Sequence, residues 1–206
     1  MNTLQRFSSS CSPLALLLLS LLVSACQSAY NPLDDYEELD PATIFANPEP
    51  LPSADYTPEQ LDRGRYMVSM LGCGSCHTDG ALVGAPVMSR QLAGSNTGIA
   101  YTSPFVDSNP GVVYPPNLTP DMETGLGSWT MGRLVDMIRL GTSSHGGQSL
   151  PVMPWPAFAG VTDEDALAIA AYLKSLPPVQ NQVPANVRPG QRATAPFVHF
   201  GVYQSK

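Results

Sequence analysis

Two cysteines and a histidine stand close together in the segment 71–80, which reads LGCGSCHTDG. Cys73 and Cys76 are three residues apart, and His77 follows directly. This spacing suits three kinds of chemistry: half of a zinc site, a redox-active dithiol, or the covalent attachment of haem. The choice among them depends on the other cysteines of the chain.

The other two cysteines, Cys11 and Cys26, lie near the N-terminus. Residues 1–25 contain one arginine and then an apolar run over 14–23. That run has about half of the roughly 20 residues that a membrane-spanning helix requires, so it is typical of a signal peptide. The sequence VSAC that ends at Cys26 is similar to the lipobox of bacterial lipoproteins, which implies cleavage before this cysteine and its acylation.

An acylated Cys26 predicts a lipid anchor on the periplasmic side of a bacterial membrane, because two or more acyl chains hold a protein stably. Gln27 is not the aspartate that goes with inner-membrane retention in enteric lipoproteins, and it therefore favours the outer membrane. The alternative is an ordinary signal peptide that leaves Cys26 free, although an exposed thiol in an exported chain would be reactive.

With Cys11 removed and Cys26 acylated, Cys73 and Cys76 have no second pair with which to complete a zinc site. A thioredoxin-like dithiol requires a βαβ setting that this loop-rich chain does not offer. C-x-x-C-H is the attachment signature of haem c. We therefore expect one haem, with thioether bonds at both cysteines and iron ligation by His77.

The second axial ligand of the iron must come from elsewhere, and Met153 is the predicted one. It lies in LPVMPW, where the flanking prolines hold the backbone extended. An open sixth position is the alternative. The weaker candidates are His145, His199, Met88, Met122, Met131 and Met137. Ligation by histidine and methionine raises the reduction potential and leaves the iron no position for a substrate, which predicts electron transfer rather than catalysis.

Three helices are predicted to position these residues. Thr57 caps the first helix, which ends near Gly72 and has Leu61, Gly64, Tyr66, Met67 and Leu71 on its apolar face. The second lies within 128–141 and ends at Gly141, and Thr162 caps the third. Residues 78–127 are rich in glycine and proline, and a loop of this length in a compact domain is expected to wrap something. No segment predicts a strand, so the predicted fold class is all-α.

The chain is predicted to have four parts. A signal peptide (1–25) precedes an acidic, proline-rich tether (26–56), a haem domain (57–178) and a proline-rich tail (179–206) that packs on the surface. Loss of 1–25 would remove one basic residue and no acid, so the formal charge of −7 would become −8. This acidity argues against nucleic acid and anionic lipid surfaces as partners.

Several segments of the chain resemble those of class I c-type cytochromes. They resemble most closely a single haem domain of the cytochrome c subunits of bacterial membrane-bound alcohol and gluconate dehydrogenases, which commonly carry three haems where this chain has one C-x-x-C-H. The segments are RGRYMV, CGSCHT, YPPNLTPDMETGLGSWT, IRLG, LPVMPW and TDEDALAIAAYLKSLPPV.

The resemblance implies a class I cytochrome c fold, with three or more helices around one covalently bound haem and a long loop insertion over 78–127. It also implies that the first helix crosses the last, with Gly64 allowing a close approach near Tyr172. Tyr114, Asn117 and Trp129 are candidate donors to the haem propionates, with loop packing as the alternative. The expected partners are redox proteins: a dehydrogenase, an oxidase or another cytochrome.

Overall fold

The computed structural model describes residues 46–105, 108–141 and 152–200. They belong to Pro41–Lys206, one of the two compact units of the chain. The predicted signal peptide, the lipidation site Cys26 and the candidate ligand His145 lie outside the described residues. Within the described part, no helix is long and apolar enough to cross a membrane.

The first helix, α1, spans Pro58–Met70, and its start is built as predicted. The Thr57 hydroxyl oxygen accepts a hydrogen bond of 3.2 Å from the backbone N–H of Gln60, which satisfies one of the amides that an N-terminus leaves unpaired. Gly72 then adopts a left-handed conformation (φ +66°) and turns the chain into a short helix, α2, over Cys73–His77.

Three further helices lie later in the chain: α3 over Met131–Leu140, α4 over Trp155–Phe158 and α5 over Asp163–Lys174. Thr130 and Thr162 cap α3 and α5 through their side chains. Short 3₁₀ turns span Ala81–Val83 and Met88–Arg90. The predictions of Thr57, Thr162 and Gly141 as helix ends are confirmed, because each rests on capping chemistry local to its helix.

Helices α1 and α5 cross at close range through Gly64. A Cβ atom at Gly64 would lie 2.0 Å from the Ala168 carbonyl oxygen and 2.6 Å from the Tyr172 Cβ. The predicted approach near Tyr172 is therefore confirmed. Arg63 pairs with Asp165 at 2.7 Å beside the crossing. The core around it is apolar and includes Val68, Leu92, Leu134, Ile169, Tyr172 and Leu173.

A small three-stranded sheet stands beside the helices, with strand order β2-β1-β3. The strands are β1 over Gly98–Ala100, β2 over Val112–Val113 and β3 over Phe197–His199. β1 pairs antiparallel with β2 and parallel with β3. The third strand comes from the segment predicted as the C-terminal tail, so that segment contributes to the sheet as well as lying against the domain.

Two expectations about local structure are wrong. Strands do form, but each has only two or three residues, too few to show a periodic pattern in the sequence. The partner of β1 on one side, β3, also comes from a distant part of the chain. Tyr66 was predicted to face the core but is 53% exposed, whereas Val68 is fully buried. The buried face follows Leu61, Gly64 and Val68, and the Tyr66 ring instead lies under the Arg63 guanidinium at 5.5 Å.

The described end of the predicted tether, residues 46–56, contacts the helices. The Tyr172 hydroxyl donates a hydrogen bond of 2.6 Å to the Pro48 carbonyl oxygen. The Leu51 backbone N–H donates one of 2.7 Å to the Ser175 carbonyl oxygen. This segment therefore packs across the end of α5 and the residues that follow it.

Candidate functional site

The short helix α2 presents Cys73, Cys76 and His77 within one and a half turns. Residues three apart lie on one face of a helix, so the two sulfurs share a side. Among the residues that the structure describes, neither cysteine is in a disulfide. Burial raises the pKa of Cys73 to about 11 and also raises that of Cys76. Redox-active dithiols instead have a lowered thiol pKa, so this environment argues against a thioredoxin-like role.

The imidazole of His77 is buried and oriented by the backbone. Its Nδ1 atom lies 2.8 Å from the carbonyl oxygen of Pro116. A carbonyl oxygen only accepts hydrogen bonds, so Nδ1 carries the hydrogen and Nε2 keeps its lone pair. Burial lowers the pKa of His77, with the bond to Pro116 opposing that shift. The ring is therefore held neutral, in the form that binds a metal.

The cysteines, His77 and Met153 line one cavity of about 280 Å³. The remainder of its wall is mostly apolar. It includes Ile99, Val113, Leu126, Ile138, Phe158 and Leu173. Apolar walls with a few convergent polar groups are typical of cofactor sites. Two thiols, a neutral imidazole with one free nitrogen and a thioether sulfur are the groups that covalent haem c with two axial ligands requires, so the residues present fit that cofactor.

Met153 stands just before α4, and its backbone is tied to that helix. The Met153 carbonyl oxygen accepts a hydrogen bond of 2.8 Å from the Trp155 N–H. Gly141, which ends α3 with φ +61°, makes room for the Trp155 ring, since a Cβ there would lie 2.6 Å from it. The end of α3 and the start of α4 thus meet beside the cavity.

Met137 also lines the cavity, and it packs against the apolar core as well. It is the other methionine of the described residues that lines this wall. Of the remaining candidates, Met88 and Met122 are largely exposed, and Met131 accepts a hydrogen bond of 3.3 Å from the Tyr56 hydroxyl. His199 lies in β3, edge-on to Phe105.

Tyr114, Asn117 and Trp129 all line the cavity, as expected of residues near a cofactor. Two of them have other hydrogen-bond partners. The Tyr114 hydroxyl donates to the Ala195 carbonyl oxygen at 3.0 Å. Asn117 donates both amide hydrogens, to the Val179 carbonyl at 2.7 Å and the Thr124 hydroxyl at 3.1 Å.

These hydrogen bonds favour loop packing, the alternative role for two of the three candidate donors. In this structure the side-chain hydrogens of Tyr114 and Asn117 are engaged within the protein, and both wall residues join the loop to the C-terminal segment. Trp129 stays a predicted donor. Its ring lies under the Arg133 guanidinium, 3.7 Å from the ring centroid.

The fold and the cavity together define a helical haem-binding protein of the electron-transfer class. The cytochrome c family matches residues 61–177, which is more than half of the chain. This chain therefore belongs to the cytochrome c family, and family membership implies covalently bound haem c and electron transfer.

Three relatives are similar to this chain over part of their own length. One of the subunits of nicotinate dehydrogenase from Pseudomonas putida is 35% identical over 126 residues, which are 61% of this chain and 9% of that protein. The fructose dehydrogenase cytochrome subunit of Gluconobacter japonicus is 33% identical over 61% of this chain and 23% of its own length. The cytochrome c subunit of the quinone alcohol dehydrogenase of Gluconobacter oxydans is 35% identical over 60% of this chain and 23% of its own length. The chain spans less than a quarter of each.

Two features of the site are not indicated by the sequence. Pro116 orients His77 through its carbonyl oxygen, and any residue type supplies that group. Met137 faces the cavity from a helix in which a methionine also suits the core. Met153, which the flanking prolines single out in the sequence, also lines the cavity, and its ligation stays a prediction. The contact between Pro116 and His77 instead joins segments that are distant in the chain.

Proposed function

We propose that this protein is a lipid-anchored periplasmic cytochrome c with one haem. It carries single electrons from a donor, a periplasmic dehydrogenase, to a respiratory acceptor such as a terminal oxidase or another cytochrome. The observation that carries the proposal is the convergence of Cys73, Cys76, His77 and Met153 on one cavity. The single C-x-x-C-H of the sequence supports one haem.

The residues of the cavity have different roles in holding the cofactor. Cys73 and Cys76 would hold the haem through thioether bonds, and His77 Nε2 and the Met153 sulfur would bind its iron. Haem c supplies a one-electron iron couple when bound. With two iron ligands supplied by the chain, the apolar wall would exclude water and leave no position for a substrate. A methionine ligand also favours the reduced state and so a higher potential.

Charge and tethering support a carrier that meets its partners at a membrane. The chain has 17 acidic and 10 basic residues, and an acidic protein associates fastest with a basic surface, at rates that fall with salt. An anchor at Cys26 followed by a tether confines the domain near the membrane and raises its effective concentration there. Gln27 favours the outer membrane.

A second candidate function is a fixed, non-catalytic electron-transfer subunit of a dehydrogenase complex. The names of the Gluconobacter relatives favour it, since both are cytochrome subunits of dehydrogenases. A third, a haem enzyme or gas sensor, requires that Met153 leave the sixth position open. A free carrier and a fixed subunit differ in whether the chain stays bound to a larger subunit. A haem enzyme or gas sensor differs from both because outside ligands reach its iron.

Replacing the lipidation site tests the anchor. In the Cys26→Ser variant, we expect the haem-loaded protein to move from the detergent-extracted membrane fraction to the soluble periplasmic fraction, because the acyl chains are absent. Its absorption spectrum should match that of wild type, since residue 26 lies outside the haem domain. A variant that stays with the membrane in high salt would contradict the lipid anchor.

The same preparations separate a free carrier from a fixed subunit. For a carrier, the wild-type protein extracted in mild detergent elutes as a monomer and exchanges electrons with a separately purified periplasmic dehydrogenase. Constant stoichiometry with a larger flavin- or quinone-dependent subunit through gel filtration would establish the second candidate instead.

A further inference from the structure

Lys174, the last residue of α5, binds three backbone carbonyl groups of one turn. Its Nζ atom donates to the carbonyl oxygens of Gly127 at 2.6 Å, Leu126 at 3.2 Å and Trp129 at 3.2 Å. An ammonium group has three hydrogens, so this one side chain uses its full donor capacity on a segment of four residues.

That segment forms part of the wall of the cavity. Leu126 and Trp129 both line it, and Leu126 is 4% exposed. The segment is closed by hydrogen bonds of its own, from the Leu126 N–H to the Thr119 carbonyl at 2.8 Å and from the Trp129 N–H to the Leu126 carbonyl at 3.0 Å. Lys174 joins this closed turn to α5 by hydrogen bonds, beside the apolar packing of Leu126 in the core.

The partners of Lys174 distinguish it from the surface cations. Among the described residues, the ion pairs involve Arg63, Arg65 and Arg139, each with a carboxylate, and Lys174 is in none of them. A cation at a helix C-terminus also favours the helix through its dipole, but that effect requires no contact with another segment. Hydrogen bonds from a charged donor are stronger than neutral ones, so three of them hold the turn firmly.

Trp129 is held from a second side by another cation. The Arg133 guanidinium lies 3.7 Å from the centroid of its ring, while Lys174 binds its backbone oxygen. The ring that lines the cavity is thus fixed at both its backbone and its face.

We propose that Lys174 is a positioning residue that clamps the turn 126–129 onto α5 and thereby closes one wall of the haem cavity against outside ligands. The closing of the cavity rests on the proposed function, in which this cavity holds the haem. The clamp itself rests only on the three hydrogen bonds and is measured separately.

The test compares Lys174→Met with Arg63→Met in the haem-loaded protein. Both variants lose one positive charge, but Arg63 pairs with Asp165 at the α1–α5 crossing and does not line the cavity. Hydrogen exchange of the Leu126 and Trp129 amides reports on the turn. The rate at which carbon monoxide binds the ferrous protein reports on the wall. In Lys174→Met we expect both rates to rise at least about tenfold, as loss of charge-assisted hydrogen bonds predicts, with neither changed in Arg63→Met.

Each other outcome is decisive. Unchanged exchange of the two amides in Lys174→Met would overturn the clamp. Faster exchange with unchanged carbon monoxide binding would overturn the closing of the cavity. If Lys174→Met fails to fold, Lys174→Arg takes its place, and it should keep the slow exchange because it retains a charged donor. Rapid carbon monoxide binding by wild type would count against the proposed function, while the exchange comparison would still decide the clamp.

Discussion

Met153→Ala is expected to keep the covalent haem but to lose the sixth ligand of the iron. The reduction potential should then fall by about 0.1–0.3 V, a part of the roughly 0.8 V range over which axial ligands set haem potentials. The ferric protein should lose the weak long-wavelength absorption band that methionine ligation produces, and the ferrous protein should bind carbon monoxide rapidly. Redox titration and absorption spectroscopy measure these changes.

Met137→Ala is the matched control, since Met137 also lines the cavity and has the same side chain. Truncation of the Met137 side chain should remove packing contacts and lower the free energy of unfolding by about 2 kcal/mol or more. The reduction potential and the methionine absorption band should stay close to those of wild type. The ligand assignment is wrong if Met153→Ala keeps the wild-type potential, and Met137 becomes the ligand if its variant shows the fall instead.

Gly64→Ala is expected to have the largest effect on stability. The added Cβ would lie 2.0 Å from the Ala168 carbonyl oxygen and 2.6 Å from the Tyr172 Cβ. The first of these neighbours is backbone and the second is the stem of a fully buried ring, so α1 and α5 must move apart. Overpacking of this kind costs about 3 kcal/mol. Chemical denaturation of the haem-loaded protein, followed by tryptophan fluorescence and circular dichroism, measures it.

Gly132→Ala provides the control for this change. Gly132 also lies in a helix, but a Cβ there would meet nothing within 4 Å. Alanine is the better helix former by up to about 1 kcal/mol, so this variant should be as stable as wild type or slightly more so. Equal stability of the two alanine variants would show that the crossing of α1 and α5 is looser than the structure has it.

Much of the helical frame could be predicted from local sequence. Thr57 and Thr162 begin helices through side-chain oxygens, and Gly141 ends one through its left-handed backbone. These capping interactions involve residues only a few positions apart, so the local sequence is enough to predict them. The C-x-x-C-H motif is equally local, since one helical turn by itself places the two sulfurs on the same side.

The remainder depended on contacts between distant segments. The strand Phe197–His199 pairs with Gly98–Ala100, almost a hundred residues earlier in the chain, and short strands carry little periodicity. Tyr114 and Asn117 were candidate donors to a haem propionate, with loop packing as the alternative. Their actual partners, Ala195 and Val179, are backbone oxygens of the C-terminal segment, and backbone oxygens are the same at every residue.

The most direct test is the mass of the purified, fully denatured chain, measured together with Cys73→Ala and Cys76→Ala. We predict that each wild-type chain retains the mass of one haem after acid and organic solvent have removed any porphyrin that is not covalently attached. Each single cysteine variant should hold its haem through one remaining thioether, and the double variant should hold none. A wild-type chain that releases all its porphyrin, or that retains more than one, would contradict a single haem fixed by these two sulfurs.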